Sequence, residues 1–363
     1  MNSERRYEMR KKNLWLGGIC LITLSLVLAS CTSEAAEPGK ERKVETKAYE
    51  WRLVQHNPRG QLHWPGLEMT GKLAEGMSGG RLKITQFAGG ELIKAPEIFD
   101  SVSKGVVEMA ITDLGYYTGT VPIFSIETGL PMGPRTVEDL EMLWYKPGWN
   151  LEELLRAECA KKNVYYVGPL WGTPYIINSK VPIKKLADFK GLKIRTIGSV
   201  AKMLEKAGAS LIYVPGEEIY SSLATGVFSA FTWGGAMGAY GMKGHEICKY
   251  LLLTPMMPKY SNAVIVNMDA WKKLPPDLQA ILQSAARHGC LIHQQWTMHG
   301  ERDAVVKMQK EHGVTLTELP PEDVAKLTKL AMEVWDGLAK ADAASAEAIK
   351  RVKEFMAWKG YLG

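Results

Sequence analysis

Several features that mark common protein classes are scarce or missing in this 363-residue chain. Of its five cysteines, Cys20 and Cys31 lie near the N-terminus, and Cys159, Cys248 and Cys290 are scattered through the body. The three in the body cannot all pair, and none shows Cys-x-x-Cys or cysteine/histidine ligand spacing, which argues against a disulfide framework and a zinc site. There is no Gly-x-Ser-x-Gly elbow turning from a strand into a helix, and His245-Glu246 lacks the second histidine of a His-Glu-x-x-His motif. Without a catalytic set, an exported enzyme is the weakest of the available readings. A large excess of one charge is also absent. The formal charge of +6 falls to +3 once residues 1–30 are removed, because they hold five basic and two acidic side chains. A balance that mild makes no case for nucleic acid.

The one apolar run of note is near the start. Arg10, Lys11 and Lys12 form a basic region before the apolar residues 14–28, which are too few for a comfortable membrane span and read as an export signal. Leu28-Ala29-Ser30-Cys31 resembles the lipobox cut by the bacterial lipoprotein signal peptidase. The expected mature protein begins at a lipidated Cys31, followed by a tether over residues 32–47 with almost no apolar residues. This places it in the periplasm or on the outer face of the cell membrane. About 316 residues remain, more than the roughly 250–300 at which a single core stops growing, so two lobes are expected.

In the body, strand and helix patterns alternate. Residues 51–55, 81–87 and 106–112 read as strands separated by helices at 63–77 and from Pro96 to about 104, an order that predicts a parallel sheet. The unit recurs: Glu97-Ile98-Phe99-Asp100-Ser101 through Val106 aligns with Glu218-Ile219-Tyr220-Ser221-Ser222 through Val227. That offset of 121 residues predicts two similar lobes facing each other. Residues 276–311 form a helical pattern long enough to run across both.

The densest stretch runs from Leu186 to Gly234. Asp188-Phe189-Lys190-Gly191-Leu192-Lys193-Ile194-Arg195 places a turn before a short strand, and Arg195 falls where that strand ends and a helix over 199–207 begins. Ligands of open α/β sheets bind outside the carboxyl ends of strands. A guanidinium there presents parallel N–H donors to an anion and stays ionised when desolvated. Arg195 is therefore the first candidate ligand-binding residue.

These residues resemble the substrate-binding proteins of tripartite ATP-independent periplasmic (TRAP) transporters. The resemblance runs from Ser78-Gly79-Gly80-Arg81, through residues 186–195, to Asn267-Met268-Asp269-Ala270-Trp271. It implies an α/β fold of the periplasmic-binding-protein type (class II): two lobes with parallel or mixed sheets, a cleft between them and a long helix spanning both. The expected lobes are 48–171 with about 262–300, and 172–261 with about 301–363. It implies Arg195 as the partner of a ligand carboxylate, Trp233 as a cleft residue, and integral membrane subunits as partners. Relatives that bind 2-oxo acids and a metal carry a glutamate where Thr232 stands here, and a second acidic ligand where Lys259-Tyr260 stands. No metal and no cofactor are expected. Relatives that bind sialic acid carry a second arginine where Tyr175 stands, which argues against that ligand.

Tyr116, Tyr117, Trp171 and Tyr175, with Trp233, then predict an aromatic lining suited to an apolar or ring-bearing monocarboxylate. Gln55, His56 and Asp113 are candidate polar contacts from the first lobe, and Thr232 from the second. The alternative reading is a receptor of the same architecture serving an ATP-driven importer or a sensory system.

Overall fold

The computed structural model describes residues 47–57, 59–214 and 216–362; the leader, Cys31 and most of the tether lie outside the described residues. The strands are β1 (Tyr49–Gln55), β2 (Leu82–Phe87), β3 (Met109–Thr112), β4 (Val164–Trp171), β5 (Tyr175–Ser179) and β6 (Lys193–Arg195). They continue with β7 (Ser210–Ile212), β8 (Ala230–Phe231), β9 (Tyr250–Met257), β10 (Ser261–Asn267) and β11 (Thr315–Thr317). The helices are α1 (Trp64–Leu67), α2 (Met69–Met77), α3 (Ile98–Ser103), α4 (Phe124–Glu127), α5 (Val137–Tyr145) and α6 (Leu151–Ala160). After them come α7 (Gly198–Lys206), α8 (Ile219–Ala224), α9 (Ala236–Gly241), α10 (Met268–Lys273), α11 (Pro276–Lys310), α12 (Pro321–Ala339) and α13 (Ala343–Trp358).

Two mixed sheets organise the protein. One has the order β2-β1-β3-β10-β4 and the other β7-β6-β8-β5-β9-β11. In the first, β1 runs parallel to β2 and β3, while β10 is antiparallel to β3 and β4. In the second, β6 runs parallel to β7 and β8, while β5 is antiparallel to β8 and β9. The two sheets thus share one topology, and each receives its fourth strand from a segment that began in the other: β4 leaves the first sheet to become β5, and β9 leaves the second to become β10.

The 121-residue repeat lies within this duplication. β3 starts at Met109 and β8 at Ala230. Each is preceded by a 3-10 turn and a six-residue helix, α3 or α8. Gly105 (φ +70°) ends one helix and Gly226 (φ +81°) the other. The next N–H, of Val106 or Val227, returns to the carbonyl of Ser101 or Ser222 at 2.8 and 3.0 Å. A left-handed glycine with that bond is a Schellman stop, which L side chains resist sterically.

α11 packs along α2 and β4 and, further on, along α9. Its distal residues Ala304 and Met308 enter the apolar cluster of the second sheet with Phe231 and Leu251. The tail divides: α12 packs on α7, whereas α13 turns back onto α6, so residues 301–363 do not follow one sheet. The helix expected over 63–77 is two helices joined at Glu68. The helix after Gly235, α9, stops at Gly241, two residues before Lys243 adopts φ +58°.

Beside the strand crossings sits a buried carboxyl. Glu127 on α4 accepts hydrogen bonds from Tyr166 Oη on β4 (3.0 Å) and Ser261 Oγ on β10 (2.9 Å), tying the two strands together. Burial pushes its carboxyl up to about 8, against those two hydrogen bonds. The folded protein therefore keeps a proton that the unfolded chain releases above its ordinary value of 4.5, so stability falls as pH rises from there towards 8. Between about pH 7 and about pH 8, urea unfolding should show a loss on the order of 1 kcal/mol. Glu127→Gln should flatten that slope; an equally steep slope in the variant would contradict the clamp.

Candidate functional site

A cavity lies where the strands cross between sheets. Gly172 and Thr173, between β4 and β5, form its floor with Tyr260, between β9 and β10. Its free volume is about 60 Å³, against roughly 10–15 Å³ for one water, which is room for a molecule of few heavy atoms.

Arg195 closes β6 and is fully buried, the only arginine or lysine among the buried polar side chains of the described residues. Its Nε donates to the Val214 carbonyl (3.1 Å) and its Nη1 to the Thr232 carbonyl (3.1 Å). Nη2 is buried and has no partner among the described residues. The guanidinium lies 5.4 Å from the ring of Trp233. A buried guanidinium with one donor arm unpartnered and no ion pair among the described residues is expensive, because an unpaired buried charge loses its hydration without compensation.

The charge of Arg195 acts on three groups of the cavity wall: Asp113, Tyr116 and Tyr175. Asp113 follows β3, and its Oδ1 accepts from Gly115 N–H (2.7 Å) and Thr128 Oγ1 (2.8 Å). Burial pushes its carboxyl up to about 6, against those bonds and the arginine. Burial raises the phenols of Tyr116 and Tyr175 as well, so both stay protonated donors.

The rest of the wall mixes Trp233, Tyr260, Ile197 and Met237 with a set of polar side chains. His56, Asn57, His63, Asn262 and His293 all face the cavity. His63 Nε2 lies 2.9 Å from Asn57 Oδ1, and Tyr260 Oη donates to Asn262 Oδ1 at 2.8 Å. Burial holds the imidazoles at about 3 for His56, about 4 for His63 and about 3 for His293, so all three are neutral at ordinary pH. Of the aromatic residues expected from sequence, Tyr116, Tyr175 and Trp233 do line the cavity, joined by Tyr260, and the polar groups add to that lining rather than replace it.

Of the candidates, Asp113, Tyr116, Tyr175, Trp233 and His56 line the cavity, and Arg195 stands just behind its wall. Three of the others point elsewhere. Thr232 donates its hydroxyl to Thr196 (2.9 Å) and contributes only its carbonyl, to Arg195. Gln55 faces Gln86 on the neighbouring strand (3.2 Å). Trp171 packs edge-on against Trp144, beside a separate small cavity that also touches Glu127. The residues 76–80 do spell Gly-x-Ser-x-Gly, but where a helix runs into a strand. Ser78 there donates to Glu75 O and accepts from Leu82 N–H, and it builds no elbow.

One positioning residue escaped the sequence altogether. Glu301 on α11 accepts from the N–H groups of Ala236 (2.7 Å) and Met237 (2.9 Å), capping α9 just after Trp233-Gly234-Gly235. A side chain on Gly235 would collide with that carboxyl, and one on Gly238 with the Trp233 carbonyl. These glycines let the loop carrying Trp233 pack closely against α9 and α11. Burial pushes the Glu301 carboxyl up to about 7, against the two N–H bonds and Lys259.

Two sheets of one topology around a cleft with a buried arginine define a two-lobe solute receptor. The family model described as bacterial extracellular solute-binding protein, family 7 (DctP), matches residues 53–342, and the chain belongs to that family, the substrate-binding proteins of TRAP transporters. It is 25% identical over 348 residues to the monocarboxylate 2-oxoacid-binding periplasmic protein of Nostoc sp., covering 95% of this chain and 93% of that one. It is 26% identical over 289 residues to the 2,3-diketo-L-gulonate-binding periplasmic protein of Escherichia coli, covering 76% and 82%. The solved TRAP solute-binding protein of Pseudoalteromonas atlantica with bound sodium and pyruvate superposes with a TM-score of 0.78 at 25% identity, covering 87% of this chain and 97% of that one.

Replacing the cap, as Glu301→Ala, leaves two N–H groups without an acceptor and should cost about 0.5–2 kcal/mol. Thermal unfolding should show the loss; an unchanged transition would contradict the capping role.

Proposed function

We propose that this protein is the receptor of a TRAP transporter for a small organic monocarboxylate, which binds in the cleft with its carboxylate on Arg195 and is handed to the membrane subunits. The observation that carries this reading is the buried, unpartnered Nη2 of Arg195. Asp113, the one carboxyl lining the cavity, disfavours a second negative charge close by. The small volume favours a short acid over a large one. The protein acts by binding and release, without catalysis. Lobe closure would pivot on the two crossings, near 171–175 and 257–261, with each crossing's strands held in their own sheet. Cys31 carries the lipid that keeps the receptor at the outer face of a membrane.

A metal is not part of this proposal. Sodium accompanies pyruvate in the Pseudoalteromonas protein. Here the Thr232 hydroxyl is spent on Thr196, Asp113 Oδ1 is spent on Gly115 and Thr128, and the described residues hold no group of three or more metal-ligating side chains. Asp113 is the one carboxylate among the residues lining the cavity that a hard cation could use.

In a thermal-shift screen of small carboxylic acids, a ligand at a hundred times its dissociation constant adds about 2.7 kcal/mol. Arg195→Ala should abolish the shift while the protein stays folded, since stranding the ligand's carboxylate costs about 3–5 kcal/mol, a hundredfold or more in affinity. A full-sized shift in the variant would refute the assignment. Addition of EDTA should leave the affinity unaltered; complete loss of binding would show that a metal takes part.

A further inference from the structure

Beyond Arg195, we propose that His56, Asn57, His63 and His293 form a second subsite, which takes a neutral polar group of the ligand (a hydroxyl, carbonyl or amide) and turns away a second carboxylate. The proposal rests on the reading that the ligand's first carboxylate sits at Arg195.

Four observations support it. All four side chains line the cavity. Two of their polar atoms, His56 Nδ1 and Asn57 Nδ2, are buried and have no partner among the described residues, whereas the unpartnered Nδ1 of His293 packs against Gly66 and its Nε2 is the ring nitrogen near Gly172 on the cavity floor. Such atoms cost about 1–3 kcal/mol each when left unsatisfied, so two beside one small cavity, with the His293 Nε2 near its floor, favour a hydrogen-bonding occupant over an alkyl chain or ring. The fourth, His63, is engaged: with Asn57 Oδ1 as acceptor its Nε2 donates, which leaves the Asn57 amide nitrogen as a free donor.

Charge separates this end from the other. The Arg195 guanidinium acts on Asp113, Tyr116 and Tyr175, whereas the histidines act on one another: His63 bears on both His56 and His293. His56 packs edge-on against Tyr116, His293 lies against Gly66 and Gly172, and the residues that line the cavity with the three imidazoles include Asp113, Asn57, Asn262, Thr297 and Tyr260 but no arginine or lysine. Buried imidazoles that gain no proton offer hydrogen bonds without charge. A carboxylate placed there would lose its hydration for neutral partners only, with the Asp113 carboxyl in the same cavity.

The test is isothermal titration of the wild-type protein with matched three- and four-carbon acids. Propionate and butyrate end in a methyl group, 3-hydroxypropionate and 4-hydroxybutyrate in a hydroxyl, malonamate and succinamate in an amide, and malonate and succinate in a second carboxylate. Within at least one length, the hydroxyl or amide acid should bind at least about tenfold more tightly than both the alkyl acid and the dicarboxylate. The double variant Asn57→Leu/His56→Phe should erase that preference while retaining the alkyl acid. Equal affinity for the methyl-ended acid, or equal or tighter binding of the dicarboxylate, would overturn the subsite and leave Arg195 standing. Absence of binding by every acid would remove the carboxylate reading and this proposal with it.

Discussion

A buried guanidinium that is incompletely paired is the constraint on which the site depends. Arg195 is held by two backbone carbonyls, one after β7 and one after β8, so its place is set by the sheet itself rather than by a side-chain partner that could move. Both carbonyls lie at the carboxyl ends of strands parallel to β6. That geometry leaves Nη2 without a partner among the described residues, the place where the proposed ligand carboxylate would bind. The arginine therefore gives direction as well as charge.

The duplication explains why the two lobes present complementary chemistry. In each sheet the parallel strands end on the cleft side: β3 runs out into Asp113, and β8 into Trp233. At the offset of 121 Asp113 corresponds to Gly234 and Trp233 to Thr112, so the two lobes present an acid and an aromatic ring from adjacent rather than identical positions of the repeat. The strands β4–β5 and β9–β10 join the sheets beneath the cavity, with Glu127 bridging β4 and β10 close by. A neutral buried carboxyl suits that place, since it holds two strands without adding a charge near Asp113 and Arg195.

Much of this was legible in the sequence, for physical reasons that differ by element. The span 276–310 has the periodicity and the Pro-Pro start of a helix, and no interior proline interrupts it. The repeat was legible because Schellman glycines recur at a fixed place after each short helix. Arg195 was legible because the strand preceding it is short and ends in a helix start. The errors cluster at one-residue alternation. Gln55, the last residue of β1, turns to Gln86, and Thr232, just past β8, turns to Thr196, while their successors His56 and Trp233 line the cavity. Nothing local marks His56, His63 and His293 as neighbours; α11, running past both sheets, brings the third to the first two. Glu301 was hidden for the same reason, as its partners lie about 65 residues earlier in the chain.

The most direct measurement is the crystal structure of the protein with a small monocarboxylate bound. The account predicts a carboxylate oxygen about 2.7–2.9 Å from Arg195 Nη2, with the acid's other end among His56, Asn57 and His293. An acid bound in the opposite sense, with its carboxylate against the imidazoles and Nη2 still unpartnered, would contradict it.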